Sequence, residues 1–383
     1  MSAPDLYFDH AATTPVDPVV AAAMAECLAS APGNPAATHA AGRAARDRVE
    51  AARAEVAALV GAPPAAVVFT SGATESDNLA ILGAVRAAGS ARHLVTLRTE
   101  HRAVLDACRR LEREGHRLTQ LKPGRDGRID PAAVGAAIGP DTALVSVMLV
   151  NNETGVIQDI AAIAAECRRR GTLLHVDAAQ AAGRVPLDCA ALDVDLLSLS
   201  AHKIHGPQGV GALVVRRAPR PALAPQLLGG GQEGGLRAGT VAVHQVVGMG
   251  IAYRIAREQG AAESAALAVL RDRLWAGLGG LPGVLLNGAA DGRAPHILNV
   301  SIEGVDGEAL LAGLGELTVA SGAACGAESG EPSYVLRALG RDDALAQASL
   351  RFSLGRGSSA AGVDAAIAIV AAAVRRLRSL APA

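Results

Sequence analysis

The chain has 383 residues, of which 50% are apolar and 19% are charged, and its formal net charge is −1. This length can bury one large core and a smaller one, and the composition excludes a disordered chain. A net charge near zero argues against general electrostatic binding to nucleic acid or anionic lipid. We therefore expect no direct nucleic-acid partner.

No membrane or secretory segment is visible. Every apolar run is shorter than the roughly 20 residues that a membrane span requires. The N-terminus lacks a basic segment followed by an apolar one. These patterns predict a cytoplasmic protein without a membrane partner.

Strand-like and helix-like segments alternate between about residues 60 and 260. The alternation predicts βαβ crossovers and a mostly parallel α/β sheet covered by helices on both faces. The predicted strands are 67–70, 93–97, 143–148, 173–176, 196–200 and 211–215, and the clearest helices are 75–88 and 160–170.

The remainder of the chain has a different pattern. Two long helical patterns run nearly back to back over residues 240–280 and are preceded by a Gly/Pro-rich loop at 218–239. Strands at 284–287 and 297–302, a helix, a strand at 349–354 and a closing helix follow. This order predicts a smaller α+β domain.

Only two of the 36 basic lysine and arginine residues are lysines, namely Lys122 and Lys203. Arginine stays charged, whereas a desolvated lysine can lose its proton and attack a carbonyl as a free amine. Lys203 follows an apolar strand, which favours a Schiff base with an aldehyde cofactor. Lys122 fits an ordinary surface position.

Other polar residues also follow predicted strands, where ligands bind in parallel sheets. Thr74 and the start of its helix can form a phosphate site or an ordinary helix cap. Asp177 can hold a pyridine nitrogen protonated, with Gln180 reaching the ring hydroxyl, or can cap a turn. His101 can act as a catalytic residue that stacks on a cofactor and shuttles protons, or it can simply begin a helix.

Two further residues are candidates for chemistry. Arg351 lies in an apolar strand, where it can serve a structural ion pair or bind a substrate carboxylate. Cys325 lies among small residues, a setting that favours an accessible nucleophilic thiolate. The five cysteines are scattered, which suits neither a disulfide framework nor a zinc site.

Taken together, these segments resemble the cysteine desulfurases of the long-loop group, the NifS/IscS-like enzymes, within the class V aminotransferase superfamily of fold-type I pyridoxal phosphate (PLP) enzymes. The resemblance runs from residues 7–15 to 351–356, and its most specific parts are residues 69–76, 150–155, 200–203 and 331–336. It implies a seven-stranded type of sheet, a large PLP domain at 15–258, and a small domain formed by 1–14 and 259–383.

The resemblance also implies roles for individual residues. PLP would be bound to Lys203, and L-cysteine would become L-alanine while its sulfur stays on Cys325 as a persulfide. Asn152 and Arg351 would bind the substrate carboxylate, and Thr240 would reach the phosphate of the partner subunit in a homodimer. The cofactor would be held by Ala73, Thr74, His101, Asn152, Asp177, Gln180, Ser200, Ala201, His202 and Lys203.

The sequence departs from the family pattern at several places. His10 replaces asparagine, His205 replaces tyrosine, and an arginine is missing after Glu233. Glu328 and Gly330 are unusual in the loop of Cys325, which bears on the sulfur acceptor that the enzyme serves.

The family resemblance leaves the sulfur acceptor open among iron–sulfur cluster assembly, tRNA thiolation and sulfur modification of DNA. No resident metal is expected, although Cys325 is a candidate transient ligand of an iron–sulfur cluster. A selenocysteine lyase, an aminotransferase and a non-catalytic sulfur-relay protein are the alternative functions.

Overall fold

The computed structural model describes residues 5–30, 33–216, 220–321 and 331–380. Within these ranges the helices are α1 (Pro18–Ala29), α2 (Ala40–Leu59), α3 (Ala73–Ala87), α4 (Arg102–Arg113), α5 (Pro131–Ala137), α6 (Ile160–Arg169), α7 (Val243–Gly279), α8 (Gly307–Ala312), α9 (Tyr334–Ala338), α10 (Asp343–Gln347) and α11 (Ala360–Leu380). None of them is long and apolar enough to cross a bilayer.

The larger sheet of the described chain has seven strands. They are β1 (Val67–Thr70), β2 (His93–Leu97), β3 (Arg117–Leu121), β4 (Thr142–Met148), β5 (Leu173–Asp177), β6 (Leu196–Ser200) and β7 (Gly211–Val215). Their order is β1-β7-β6-β5-β4-β2-β3. β7 runs antiparallel to both of its neighbours, β1 and β6, and the other neighbouring pairs are parallel. The predicted mostly parallel α/β sheet is therefore confirmed.

Burial explains why the strands were visible in the sequence. Every residue of β1, β4 and β6 is buried, because helices cover both faces of the sheet. The edge strand β3 was missed, since its sequence RLTQL is polar and partly exposed. An edge strand with one open side needs no continuous apolar run.

The second sheet is antiparallel and has its own apolar core. Its strands are β8 (Val284–Leu286), β9 (Ile297–Ile302), β10 (Ala320–Ser321) and β11 (Ser349–Ser353), in the order β10-β11-β9-β8. Phe8 and Phe352 meet edge to face within this core. This arrangement agrees with the predicted smaller α+β unit.

The prediction of two helices over residues 240–280 is wrong, because α7 is one helix of 37 residues. Gly260 does not interrupt it. A side chain there would lie 2.8 Å from the carbonyl oxygen of Gly183, so this glycine serves close packing. Along α7, membership of the two apolar cores changes between Ala256 and Leu267. The domain boundary at residue 258 stays a prediction.

Candidate active site

A cavity of about 530 Å³ opens at the carboxyl ends of the parallel strands. It is lined by most of the residues that the sequence pointed to, namely Ala73, Thr74, His101, Asn152, Asp177, Gln180, Ser200, His202, Lys203 and Arg351. Such a cavity has the size of a typical ligand site.

Two of the predicted site residues lie outside the cavity. Ala201 is fully buried beside Ser200 and does not line the cavity, and Thr240 is exposed and also lies outside it. Cys325 lies outside the described residues, as do Glu328 and Gly330.

One end of the cavity is formed by the start of α3. Gly72 precedes this helix with φ +154° and provides no side-chain cap, so the first N–H groups of the helix remain available to a ligand. Gly211 of β7 packs directly on Gly72, where a side chain would lie 2.6 Å from the Gly72 Cα. The arrangement is suited to a phosphate group.

The carboxylate of Glu75 reinforces this end of the cavity. It accepts the Ser71 N–H at 2.7 Å and pairs with Arg237 at 2.9 Å. These contacts hold the pKa of Glu75 below its ordinary value, although burial opposes them. The loop is therefore fixed by the protein itself.

Lys203 lies in the turn that follows β6. Its Nζ donates to the carbonyl oxygens of Ala11 at 2.6 Å and Ala12 at 2.8 Å. Beside it, burial and the charge of Lys203 lower the pKa of His202 to about 4. His202 Nδ1 lies 3.1 Å from Thr13 Oγ1, so the N-terminal segment covers the lysine turn. Backbone carbonyls leave no signal in a sequence, and these two were missed.

Asp177 ends β5, is buried and lines the cavity. Burial raises its pKa, while the Ala179 N–H bond at 2.9 Å and the charges of His101 and Lys203 oppose the rise. A buried carboxylate that lines the cavity is suited to a protonated ring nitrogen.

Two further buried carboxyl groups, of which Asp77 also lines the cavity, are close enough to feel the charge of Asp177 and were missed from the sequence. Burial raises the pKa of Asp77 well above its ordinary value, and the charge of Asp177 adds to the effect. Burial likewise raises the pKa of Glu100, with Asp177 contributing. Since like charges in one buried region cannot all ionise easily, the negative charge is favoured at Asp177, the least buried of the three carboxyl groups.

His101 caps α4, with its Nδ1 accepting the Ala103 N–H at 3.1 Å. That bond leaves the proton of the neutral ring on Nε2. Burial, with Lys203 adding, lowers the pKa of His101 although Asp177 opposes this. The imidazole is therefore neutral near pH 7, and it serves as helix cap and cavity wall at once.

Gln180 is oriented by two contacts. Its Nε2 donates to the Ala11 carbonyl at 2.8 Å, and its Oε1 lies 3.4 Å from His296 Nε2. Because a carbonyl can only accept, the amide nitrogen must face Ala11. One further amide N–H remains for a ligand.

Arg351 is almost fully buried in β11 and makes the structural ion pair that was one of its two expected roles. Nη2 donates to Asp9 at 2.7 Å, and Nη1 donates to the Asn152 carbonyl at 2.9 Å. Its Nε and the Oδ1 of Asn152 have no hydrogen-bond partner among the described residues. Both residues line the cavity, where the guanidinium of Arg351 is suited to the carboxylate of a ligand.

Comparisons with known proteins agree with this geometry. Residues 6–366 match the family "Aminotransferase class-V". A cysteine desulfurase IscS of Pectobacterium atrosepticum is 53% identical over 98% of this chain and 94% of its own length. A solved NifS-like protein superposes with a TM-score of 0.90, at 33% identity over 97% of this chain and all of its own.

A second solved structure, titled SspA in complex with cysteine, has a TM-score of 0.82 at 36% identity, and the match covers 91% of this chain and 99% of that one. All three comparisons extend over nearly the whole chain. The chain therefore belongs to the cysteine desulfurases of the class V aminotransferase family.

Proposed function

We propose that this chain is a PLP-dependent cysteine desulfurase that releases L-alanine from L-cysteine and retains the sulfur on Cys325. The observation that carries the proposal is a single cavity that holds the Lys203 amine, the buried Asp177 carboxylate and the Arg351 guanidinium. The 53% identical relative named as a cysteine desulfurase supports it, and so does the similar structure with bound cysteine.

The residues present fit PLP. The uncapped start of α3 with Thr74, together with Ser200 and His202, would hold the phosphate. Asp177 would pair with the ring nitrogen, Gln180 would donate to the ring oxygen, and His101 would lie along the ring face. Once bound, the cofactor supplies an aldehyde for Lys203 and an electron sink for the substrate Cα.

The substrate would be oriented by Arg351 and Asn152 through its carboxylate. The Lys203 amine would remove the Cα proton of the bound substrate. The carbonyls of Ala11 and Ala12, which accept from Nζ in the structure, would then stabilise the resulting ammonium group.

Sulfur transfer requires a second nucleophile, for which Cys325 is the proposed residue. Its thiolate attacks the substrate sulfur, so that an S–S bond forms while the Cβ–S bond breaks. The electron pair of the Cβ–S bond stays with carbon, which takes up a proton and leaves as L-alanine. The outer sulfur of the persulfide then passes to an acceptor protein of iron–sulfur assembly, tRNA thiolation or DNA sulfur modification.

A homodimer completes the proposal. Thr240 is exposed and lies outside the cavity of its own chain. In a dimer it would reach the phosphate of the partner subunit.

The test is alanine formation from L-cysteine by the PLP-loaded chain, compared with Cys325→Ser and with Cys27→Ser as the matched thiol control. We expect Cys27→Ser to keep the parent rate and Cys325→Ser to lose at least about 100-fold, because it lacks the sulfur acceptor. Alanine release by Cys325→Ser at the parent rate would refute the proposed mechanism.

A further inference from the structure

The start of α3, where the cofactor phosphate is proposed to bind, contains a residue of the wrong charge. Glu75 lies in the first turn of this helix and lines the cavity next to Thr74. A phosphate group carries about two negative charges near pH 7. Since both groups are attracted to the N–H groups at a helix start, Glu75 and a phosphate compete for the same positive potential. An unbalanced carboxylate here would weaken phosphate binding.

The basic side chains that line the cavity are engaged in other ways. There are four of them among the described residues, namely His101, His202, Lys203 and Arg351. Burial lowers the pKa of both histidines, so they are neutral near pH 7. Lys203 donates to two backbone carbonyls of the N-terminal segment, and Arg351 pairs with Asp9. The carboxylate at the start of α3 is balanced by a residue behind the cavity wall.

That residue is Arg237. Its Nε donates to Glu75 Oε1 at 2.9 Å, and its Nη2 donates to Oε2 at 3.3 Å. The exposed fraction of the side chain is 22% for Arg237 and 19% for Glu75, so water screens the pair less than it screens a pair on the open surface. Arg237 is not among the residues that line the cavity. It therefore reaches the carboxylate from the outer side.

The segment that carries this arginine is tied to the edge of the larger sheet. Glu233, four residues earlier, accepts from both terminal nitrogens of Arg53 at 2.8 and 2.9 Å and from the Phe69 N–H of β1 at 2.8 Å. Gly234 and Gly235 follow with φ +65° and +81°, a backbone conformation that glycine adopts without strain. The fold itself thus fixes the place of the guanidinium.

We propose that Arg237 is a positioning residue that neutralises Glu75 and thereby allows the start of α3 to bind the cofactor phosphate. This inference rests on the proposed function and concerns the affinity for its cofactor. Glu75 holds the phosphate turn through the Ser71 N–H at 2.7 Å, and Arg237 cancels the repulsion that its charge would exert. Removing Arg237 alone leaves an unbalanced carboxylate, whereas removing both charges restores the balance. The two substitutions should therefore be strongly non-additive.

The experiment compares two ligands that differ only in the phosphate. The full-length chain, freed of cofactor, is titrated with PLP and with pyridoxal, which has the same ring and aldehyde but no phosphate, and binding is followed by absorption. The variants are Arg237→Gln, Arg237→Lys, Glu75→Gln and the double variant Arg237→Gln/Glu75→Gln. Arg257→Gln is the matched control, because Arg257 pairs with Glu55 at the same 2.9 Å and neither residue lines the cavity.

We expect Arg237→Gln to raise the dissociation constant of PLP about tenfold and that of pyridoxal less than about twofold, because only the phosphate meets the carboxylate. Arg237→Lys keeps the charge and should stay within about threefold of the parent. Glu75→Gln can still accept the Ser71 N–H and should bind PLP at least as tightly as the parent. The double variant should also return to within about threefold, and Arg257→Gln should match the parent for both ligands.

An unchanged dissociation constant of PLP in Arg237→Gln would overturn the inference. An equal rise for pyridoxal would also overturn it, since that would show general damage to the cavity. If the double variant binds PLP as weakly as Arg237→Gln, Arg237 does not act through Glu75, and the inference is again wrong. Failure of the unsubstituted chain to bind PLP is a different result, which would remove the proposed function itself.

Discussion

The two ends of the cavity are built in different ways. At the end proposed to hold the phosphate, here called the phosphate end, an exposed Thr74 and a half-buried Ala73 begin a helix, and the backbone supplies most of the donors. At the end proposed to hold the ring, here called the ring end, Asp177, Asp77 and Glu100 are buried ionisable groups whose pKa values are raised by burial. The phosphate end resembles an anion site found in many proteins, whereas the ring end is specific and costly to fold.

The difference indicates how substitutions should act. A backbone site with exposed side chains loses affinity when one side chain is removed. A buried ionisable site loses chemistry, because its charge state was set by desolvation that no neighbour can replace. The following predictions test this contrast, starting with the lysine that lies between both ends.

Lys203→Ala should abolish cofactor-dependent turnover, with kcat at least about 10,000-fold lower, because no other described side chain provides an amine at the cavity. Lys122→Ala is the matched control. Lys122 lines a separate cleft with Arg98, Arg102, Arg109 and Arg337, so it should keep the parent activity. Steady-state alanine release and the absorption of the bound cofactor measure both variants.

At the ring end, Asp177→Asn should lower kcat by about 100- to 1,000-fold, because the amide cannot stabilise a charged ring nitrogen. The cofactor should remain bound, as the phosphate contacts are unchanged. Asp130→Asn, which alters only the cap of α5, should have no effect on kcat. A fall of Asp177→Asn activity that excess PLP restores would place Asp177 among simple affinity residues.

The next smaller effect concerns His10, which should make the free energy of unfolding depend on pH. Burial, helped by the charges of His205 and Arg184, lowers its pKa from 6.5 to about 4. Folding therefore expels a proton below pH 6.5, and this contribution to stability falls as the pH drops from 6.5 towards 4.

His10→Asn removes that titration. Between pH 7.5 and pH 5 the parent should lose about 2 kcal/mol more unfolding free energy than the variant, as measured by urea denaturation. Equal losses in the parent and His10→Asn would show that His10 is charged in the folded protein.

The smallest effect is expected at the phosphate end. Thr74→Ala should raise the dissociation constant of PLP about tenfold through one lost hydrogen bond to a charged group. At saturating PLP, kcat should stay within twofold of the parent. Should Thr74→Ala reduce kcat more than Asp177→Asn does, the contrast between the two ends would be wrong.

The sequence predicted the strands and site residues that leave a pattern within one short segment. Buried strands such as β4 and β6 are continuous apolar runs, and polar residues follow them at one edge of the sheet, so Lys203, Asp177 and Asn152 were found together. The departure at His10 was visible too, although its burial was not.

The remaining features depend on contacts between distant segments. Neither the Ala11 and Ala12 carbonyls beneath Lys203 nor the contact of Ser333 with Glu153 leaves a local pattern. Asp77 lies on a helix face where charge usually indicates solvent, and only the packing against the sheet shows that it is buried. Gly260 likewise indicates a helix break until its contact with Gly183 is known.

The most direct measurement follows the sulfur itself. The PLP-loaded chain is given one equivalent of L-[³⁵S]cysteine, the thiols are alkylated without reduction, and the labelled peptide is identified. We predict one labelled sulfur per active chain on the peptide of Cys325, with an equal amount of L-alanine. Alanine formed with the label as free sulfide, or on Cys27 or Cys189, would contradict sulfur transfer through Cys325.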